Sequence, residues 1–210
     1  MLDHAMRRVL EAPLGKLADV AVKRGISANR VTIVGLIFGI ACGVFIASGT
    51  FALAFLALIA SRVADGMDGA IARRTALTDF GGFLDIVCDF VFYASIPVGF
   101  ALLDGGRCAL AASVLLGSFY LNGASFLGFA VLAAKRGMEA DVSAPKALYY
   151  TSGLAEGTET IIVFSLMLLW PEGFPVLAYG FAALCIFTFV SRILLAARVF
   201  AVDGARDRHS

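Results

Sequence analysis

The sequence predicts an all-α integral membrane protein: six transmembrane helices preceded by an N-terminal amphipathic helix lying in the interface. Three observations predict it. Of 210 residues, 60% are hydrophobic and 16% charged, with a mean hydropathy of +0.89, which is not the composition of a chain that folds in water. The apolar residues gather into about six continuous runs long enough to cross a bilayer. Lysine and arginine collect at alternate ends of those runs. Continuous rather than alternating apolarity excludes a β-barrel, and the composition excludes disorder, collagen and a disulfide scaffold. The four cysteines, Cys42, Cys88, Cys108 and Cys185, are far apart and read as small buried side chains. A net charge of +1 gives no pull on nucleic acid, so no nucleic-acid partner is expected.

The first element runs from Ala5 to Lys23. Met6, Val9, Leu10, Leu14, Leu17, Val20 and Ala21 fall at helical spacing, with Arg7, Arg8, Lys16 and Lys23 largely opposite, the pattern of a helix lying in the headgroup plane. Residues 1–25 are assigned to it. Six spans follow within residues 26–203, near 30–48, 51–72, 80–103, 107–134, 148–170 and 174–200, and residues 204–210 form a cytoplasmic tail. Each span ends on a break: Ser48-Gly49-Thr50, the polar stretch from Arg73 to Asp79, Asp104-Gly105-Gly106, the charged loop from Lys135 to Lys146, and Pro171-Glu172-Gly173-Phe174-Pro175. Short connections between long helices imply antiparallel neighbours. No signal peptide is expected, because the first long apolar run begins only near residue 31 and more spans follow at once.

If the six spans alternate, fourteen of the seventeen lysines and arginines lie on the side that holds both termini. Only Arg107 lies opposite, and Arg62 and Arg192 fall inside spans. Both termini are therefore expected to face the cytoplasm.

Ionisable residues inside spans are costly and mark function. The cytoplasmic end of span 2 carries Asp65 and Asp68, and the start of span 3 carries Asp85 and Asp89. At about 100° per residue, Asp65, Gly69 and Arg73 share one i, i+4 stripe with Asp68 close beside it; Gly81, Asp85 and Asp89 share another on the next helix. An antiparallel hairpin can thus turn four carboxylates towards one another. They cannot all stay ionised without a cation, and hard oxygen ligands without histidine select Mg²⁺, Mn²⁺ or Ca²⁺ over zinc. The interleaved glycines leave room for a ligand, and Arg73 offers a forked donor suited to phosphate. The expectation is a metal-bridged phosphate site at the cytoplasmic membrane surface.

These residues carry a resemblance. Asp65-x-x-Asp68-Gly69-x-x-Ala72-Arg73, seven residues, then Gly81-x-x-x-Asp85-x-x-x-Asp89 resembles the signature of the CDP-alcohol phosphatidyltransferase family, whose spacer is usually eight residues. The likeness extends over almost the whole chain and is nearest to a branch of bacterial inner-membrane members. It implies that an alcohol hydroxyl attacks the β-phosphorus of a CDP-linked lipid such as CDP-diacylglycerol, releasing CMP. It also implies that Asp65, Asp68, Asp85 and Asp89 hold two Mg²⁺ or Mn²⁺ ions, with Asp85 and Asp89 catalytic and Asp89 the general base. Asn29, Thr32, Gly66, Gly69, Ala72, Arg73, Thr78 and Gly81 are the residues it places around the CDP-lipid. A homodimer in the bacterial inner membrane, among membrane lipids and with its active site towards the cytoplasm, is part of the same implication. His4 and His209 sit in the termini, and no Ser-His or Cys-His pair is evident, so direct displacement is expected over a covalent intermediate.

Span 5 opens with a polar run in which Glu156 and Glu159 share a face. Its glutamates and hydroxyls suit either a pocket for the alcohol acceptor or interhelical packing. Arg192, inside an apolar span, needs a partner, and a span-5 glutamate is a candidate; with Lys135, Arg136 and Lys146 it could instead bind an acceptor phosphate. A transporter that relays ions through intramembrane carboxylates is the alternative to the transferase.

Overall fold

The computed structural model describes residues 14–138 and 157–201. Among them there are only helices and turns. The first, α1, covers residues 14–23; α2 (Ala28–Ala47), α3 (Phe51–Arg74), α4 (Asp79–Leu103), α5 (Gly105–Lys135), α6 (Gly157–Leu169) and α7 (Phe174–Ala201) follow, with a 3₁₀ turn at Pro171–Gly173 before α7. The turns come where the sequence places its breaks. Gly25 and Gly49 take left-handed φ values of 71° and 73°. At each, the glycine N–H and the next N–H reach back to the last helical turn: Gly25 to Val22 and Ile26 to Ala21, then Gly49 to Ile46 and Thr50 to Phe45. This is the Schellman ending that glycine permits without strain. The expected start of span 5 near residue 148 lies outside the described residues, as do Ala5 to Pro13 of the first element and the tail at 204–210.

Helices α2, α4 and α5, and the stretch Pro171–Phe200, are long and apolar enough to cross a membrane. Helix α3 is equally long at 24 residues but carries Arg62, Asp65, Asp68, Arg73 and Arg74. Helix α6 has 13 described residues. All four cysteines are free and buried, as expected of small core side chains.

Helix α2 packs against both α3 and α4, α4 against α5, α5 against α7, and α6 lies against α3 and α7. One apolar core draws on all six long helices, among them Ile46, Leu58, Phe92, Leu115, Phe164 and Phe181. At its far end Phe100 and Phe174 stack with ring centroids 4.1 Å apart. Large apolar side chains such as Ile37, Leu56, Leu110 and Val176 point outward, as they would towards lipid.

Lipid tails are as apolar as leucine, so close packing and interhelical hydrogen bonds have to hold such helices together. Helix α2 supplies both through Gly35, Gly39 and Gly43, one buried stripe at i, i+4 spacing. A Cβ at Gly35 would lie 3.1 Å from Ala64 Cβ, one at Gly39 3.1 Å from the Phe92 ring, and one at Gly43 2.5 Å from the Ser95 carbonyl oxygen. The exposed glycine carbonyls are used: Ser61 Oγ donates to Gly35 O at 2.9 Å and Ser95 Oγ to Gly39 O at 2.8 Å. Gly99 on α4 answers Gly43, since a Cβ there would meet the Gly43 oxygen at 2.5 Å.

Helix α1 attaches to α3. Ala18 and Ala21 bury against Ala70 and Ile71, and Arg74 Nε donates to Asp19 Oδ1 at 2.6 Å. Leu17 and Val20 stay exposed.

Gly99→Ala should overpack the α2–α4 contact and cost about 1–3 kcal/mol, read as a lower Tm of the detergent-solubilised protein. Gly117→Ala, with nothing within 4 Å of the added carbon, should leave the Tm unchanged.

Candidate active site

The site is built where α2, α3 and α4 meet, towards the end of the bundle that holds the α3–α4 connection. That connection is residues 75–78, and Thr78 closes it: its Oγ1 accepts the Gly81 N–H at 3.0 Å, capping an otherwise unpaired donor of α4. Asn29, from the first turn of α2, reaches the same place. A Cβ on Gly81 would lie 2.9 Å from Thr78 Oγ1 and 3.3 Å from Asn29 Oδ1. Thr78, Asn29 and Gly81, named separately from the sequence, thus form one rim.

Inside the rim, Asp65, Asp68 and Asp85 each bring a carboxylate oxygen within 4.8 Å of the other two. Oxygens around one divalent ion at about 2.0–2.6 Å are held at such separations, so the donor set fits a hard cation by geometry as well as by chemistry. Asp68 is buried, at 6% exposure, and is fixed by Thr32, whose Oγ1 donates its one proton to Oδ2 at 2.6 Å, with Ala28 O the competing acceptor at 3.1 Å. Thr32 therefore orients a carboxylate as well as bordering the cleft.

Asp89 is placed differently. It lines the same narrow cleft, bounded by Thr32, Gly35, Leu36, Ser61, Arg62, Asp65, Asp68, Asp85, Cys88 and Asp89, but its Oδ1 accepts from Arg62 Nη1 at 2.9 Å. The same Nη1 lies 3.6 Å from Asp65 Oδ2. Three of the four expected carboxylates converge directly, and the fourth is held beside them by an arginine. Sequence reasoning noted Arg62 as an ionisable residue inside a span and gave it no part in the site. The available signal was its place one helical turn before Asp65.

The remaining candidates lie around this centre. The guanidinium of Arg73, at the end of α3, lies over Gly69, whose added Cβ would be 3.2 Å from Nη1. Ala72 is on the same last turn. Gly66 is covered by Leu14 of α1, which a Cβ there would meet at 2.7 Å. Glu156 lies outside the described residues. Glu159 Oε2 is buried with no hydrogen-bond partner among the described residues.

Arg192 departs from expectation. Its Nη1 donates to Asn122 O at 2.9 Å, Asn122 Oδ1 at 2.8 Å and Ser125 Oγ at 2.8 Å. Among the described residues its partners belong to α5, not to a span-5 glutamate. The reason is packing: α7 lies along α5, and neutral acceptors there bind Nη1, while Nε is buried with no partner among the described residues.

The family's model matches residues 26–202, and the chain belongs to the CDP-alcohol phosphatidyltransferase family. It is 43% identical over 193 residues to the inner membrane protein YnjF of Escherichia coli, spanning 92% of this chain and 94% of that protein. It is 30% identical over 118 residues to the archaetidylinositol phosphate synthase of Pyrococcus horikoshii, 56% of this chain and 63% of that one. Its fold matches a Mycobacterium tuberculosis phosphatidylinositol phosphate synthase solved with CDP-DAG bound, with a TM-score of 0.68 at 18% identity over 88% of this chain and 93% of that one. The same enzyme in complex with manganese and citrate gives 0.65 at 19% identity, over 87% and 88% of the two chains. The enzyme class expected from the aspartate signature is thereby established, and the transporter reading gives way to it.

Thr32→Val should weaken divalent-cation binding by about fivefold or more, because a hydrogen bond to a charged group is lost from Asp68; Mn²⁺ titration of the purified protein measures it.

Proposed function

We propose that this chain transfers the phosphatidyl group of CDP-diacylglycerol to the hydroxyl of a small alcohol or polyol, releasing CMP. The observation that carries the reading is the convergence of Asp65, Asp68 and Asp85 to within 4.8 Å in a cleft that Asp89 also lines. The CDP-DAG complex of the structural neighbour supports this choice of donor.

In this reading Asp65, Asp68, Asp85 and Asp89 hold two ions, Mg²⁺ or Mn²⁺. Bound there, they supply neutralisation of the diphosphate and stabilisation of charge on the leaving oxygen. The chain's own groups do the rest. Asn29, Thr78 and Gly81 form the rim against which the cytidine end of the donor lies. Gly69 leaves space beside the carboxylates, and Arg73 turns its fork over that space towards a phosphate. Gly66 and Ala72 complete the set around the CDP-lipid, and Thr32 holds Asp68 in place. Asp89, assisted by Asp85, takes the proton from the acceptor hydroxyl as its oxygen bonds to the β-phosphorus and the bond to CMP breaks.

Glu156, Glu159 and Arg192 are the candidates for the acceptor, and the glutamates suit a polyol. The six helices α2–α7 cross the membrane as six spans, α1 lies in the cytoplasmic interface, and both termini and the site face the cytoplasm, in agreement with the distribution of lysine and arginine. The relative named as an inner membrane protein supports that location. The working unit is a homodimer surrounded by membrane lipid.

Purified protein supplied with CDP-diacylglycerol, Mg²⁺ and a panel of polyols and polyol phosphates should release CMP with at least one acceptor. Asp89→Asn should lower that release by about a hundredfold or more, the usual share of a general base. No CMP with any acceptor would refute the proposal.

A further inference from the structure

Among the described residues Arg62 is the only basic one lining the cleft, and its surroundings are those of a competitor rather than of a bystander. A guanidinium inside a span needs strong neighbours. Nη1 donates to Asp89 at 2.9 Å and lies 3.6 Å from Asp65. Nη2 donates to Ser61 Oγ at 3.2 Å, the serine that also ties α3 to Gly35. The flat face rests on the Phe92 ring, 3.8 Å from its centroid. Nε is buried with no acceptor among the described residues. The group is therefore aimed by Asp89 and Phe92 while one of its own donors goes unsatisfied, an arrangement with a reason to change when a better acceptor arrives.

Asp89 stands one helical turn beyond Asp85 on α4. Asp65, Asp68 and Asp85 gather without it. Asp89 Oδ1 faces Arg62, so this oxygen reaches an ion beside them only by giving up or sharing its arginine hydrogen bond. An arginine is charged at every accessible pH and cannot withdraw by losing its proton, so the exchange is a contest between one fixed cation and one that arrives.

We propose that Arg62 is a built-in cation competing for Asp89, so that the quartet fills in two stages. A first divalent ion enters the Asp65–Asp68–Asp85 triad with Arg62 still on Asp89, and the second binds only as Asp89 exchanges its arginine partner. The freed fork then faces the cleft, shaped to accept the oxygens of an incoming diphosphate, which ties the second ion to the arrival of the donor. Arg62 is thus a positioning residue for Asp89. The inference rests on the two-ion reading proposed above.

The test is a Mn²⁺ titration of the purified full-length protein without lipid donor, followed by the electron paramagnetic resonance signal of free Mn²⁺. The wild type should show one tight site and one weak site. Arg62→Gln and Arg62→Met, which remove the charge, should tighten the weak site by about tenfold, the scale of a charge-assisted hydrogen bond. Arg62→Lys should stay close to wild type. Asp89→Asn should keep the tight site and lose the weak one. Mn²⁺ bound alike by wild type and both neutral variants, or a weak site further weakened in them, would overturn the competition while leaving the two-ion reading standing. A wild type that binds no Mn²⁺ would overturn both. Size-exclusion profiles identify a neutral variant that fails to fold, and the other then carries the comparison.

Discussion

The close approach of α2 to its two neighbours is the constraint from which the rest of the molecule follows. Three glycines one turn apart let the α3 and α4 backbones come so near that no side chain larger than hydrogen fits at Gly43. Two serine hydroxyls then bond across the gap to glycine carbonyls. In hydrocarbon, where apolar surface gives no net drive for association, such contacts have to supply the cohesion. Separate α3 from α4 by the width of a methyl group and the carboxylates they carry no longer share an ion.

The same three helices show how a bundle tolerates acid in its interior. Each carboxylate has its own arrangement. Asp68 is buried and held by the Thr32 hydroxyl; Asp89 is paired with Arg62; Asp65 stands between the arginine and the triad; Asp85 reaches in from the opposite helix. One positive charge among four carboxylates leaves an excess of acid that protons or cations from solution have to balance. Arg192 shows another arrangement, in which a buried cation donates through Nη1 to an amide and a hydroxyl.

Much of this was legible in the sequence because it depends on local spacing. Asp65, Asp68 and Asp85 meet because a helical period and a short antiparallel connection leave them little choice. Thr78 lies where an N-cap is needed, and the helix ends at Gly25 and Gly49 follow from which residue accepts a left-handed backbone. What could not be read depends on which helices are neighbours. Arg192 finds its partners among the described residues on α5 because α7 lies along α5. Arg62 meets Asp89 across 27 positions of sequence, and no pattern within α3 alone encodes that meeting. Gly35, Gly39 and Gly43 did repeat legibly, but as small residues in an apolar run they were overshadowed by the charges nearby.

Leu14 resting on Gly66 has a mechanical meaning. That glycine is the residue directly after Asp65, and α1 is riveted to the same helix a little further along by the Arg74–Asp19 pair. Helix α1 is thereby fastened along the stretch of α3, from Gly66 to Arg74, that directly follows Asp65 and carries Asp68.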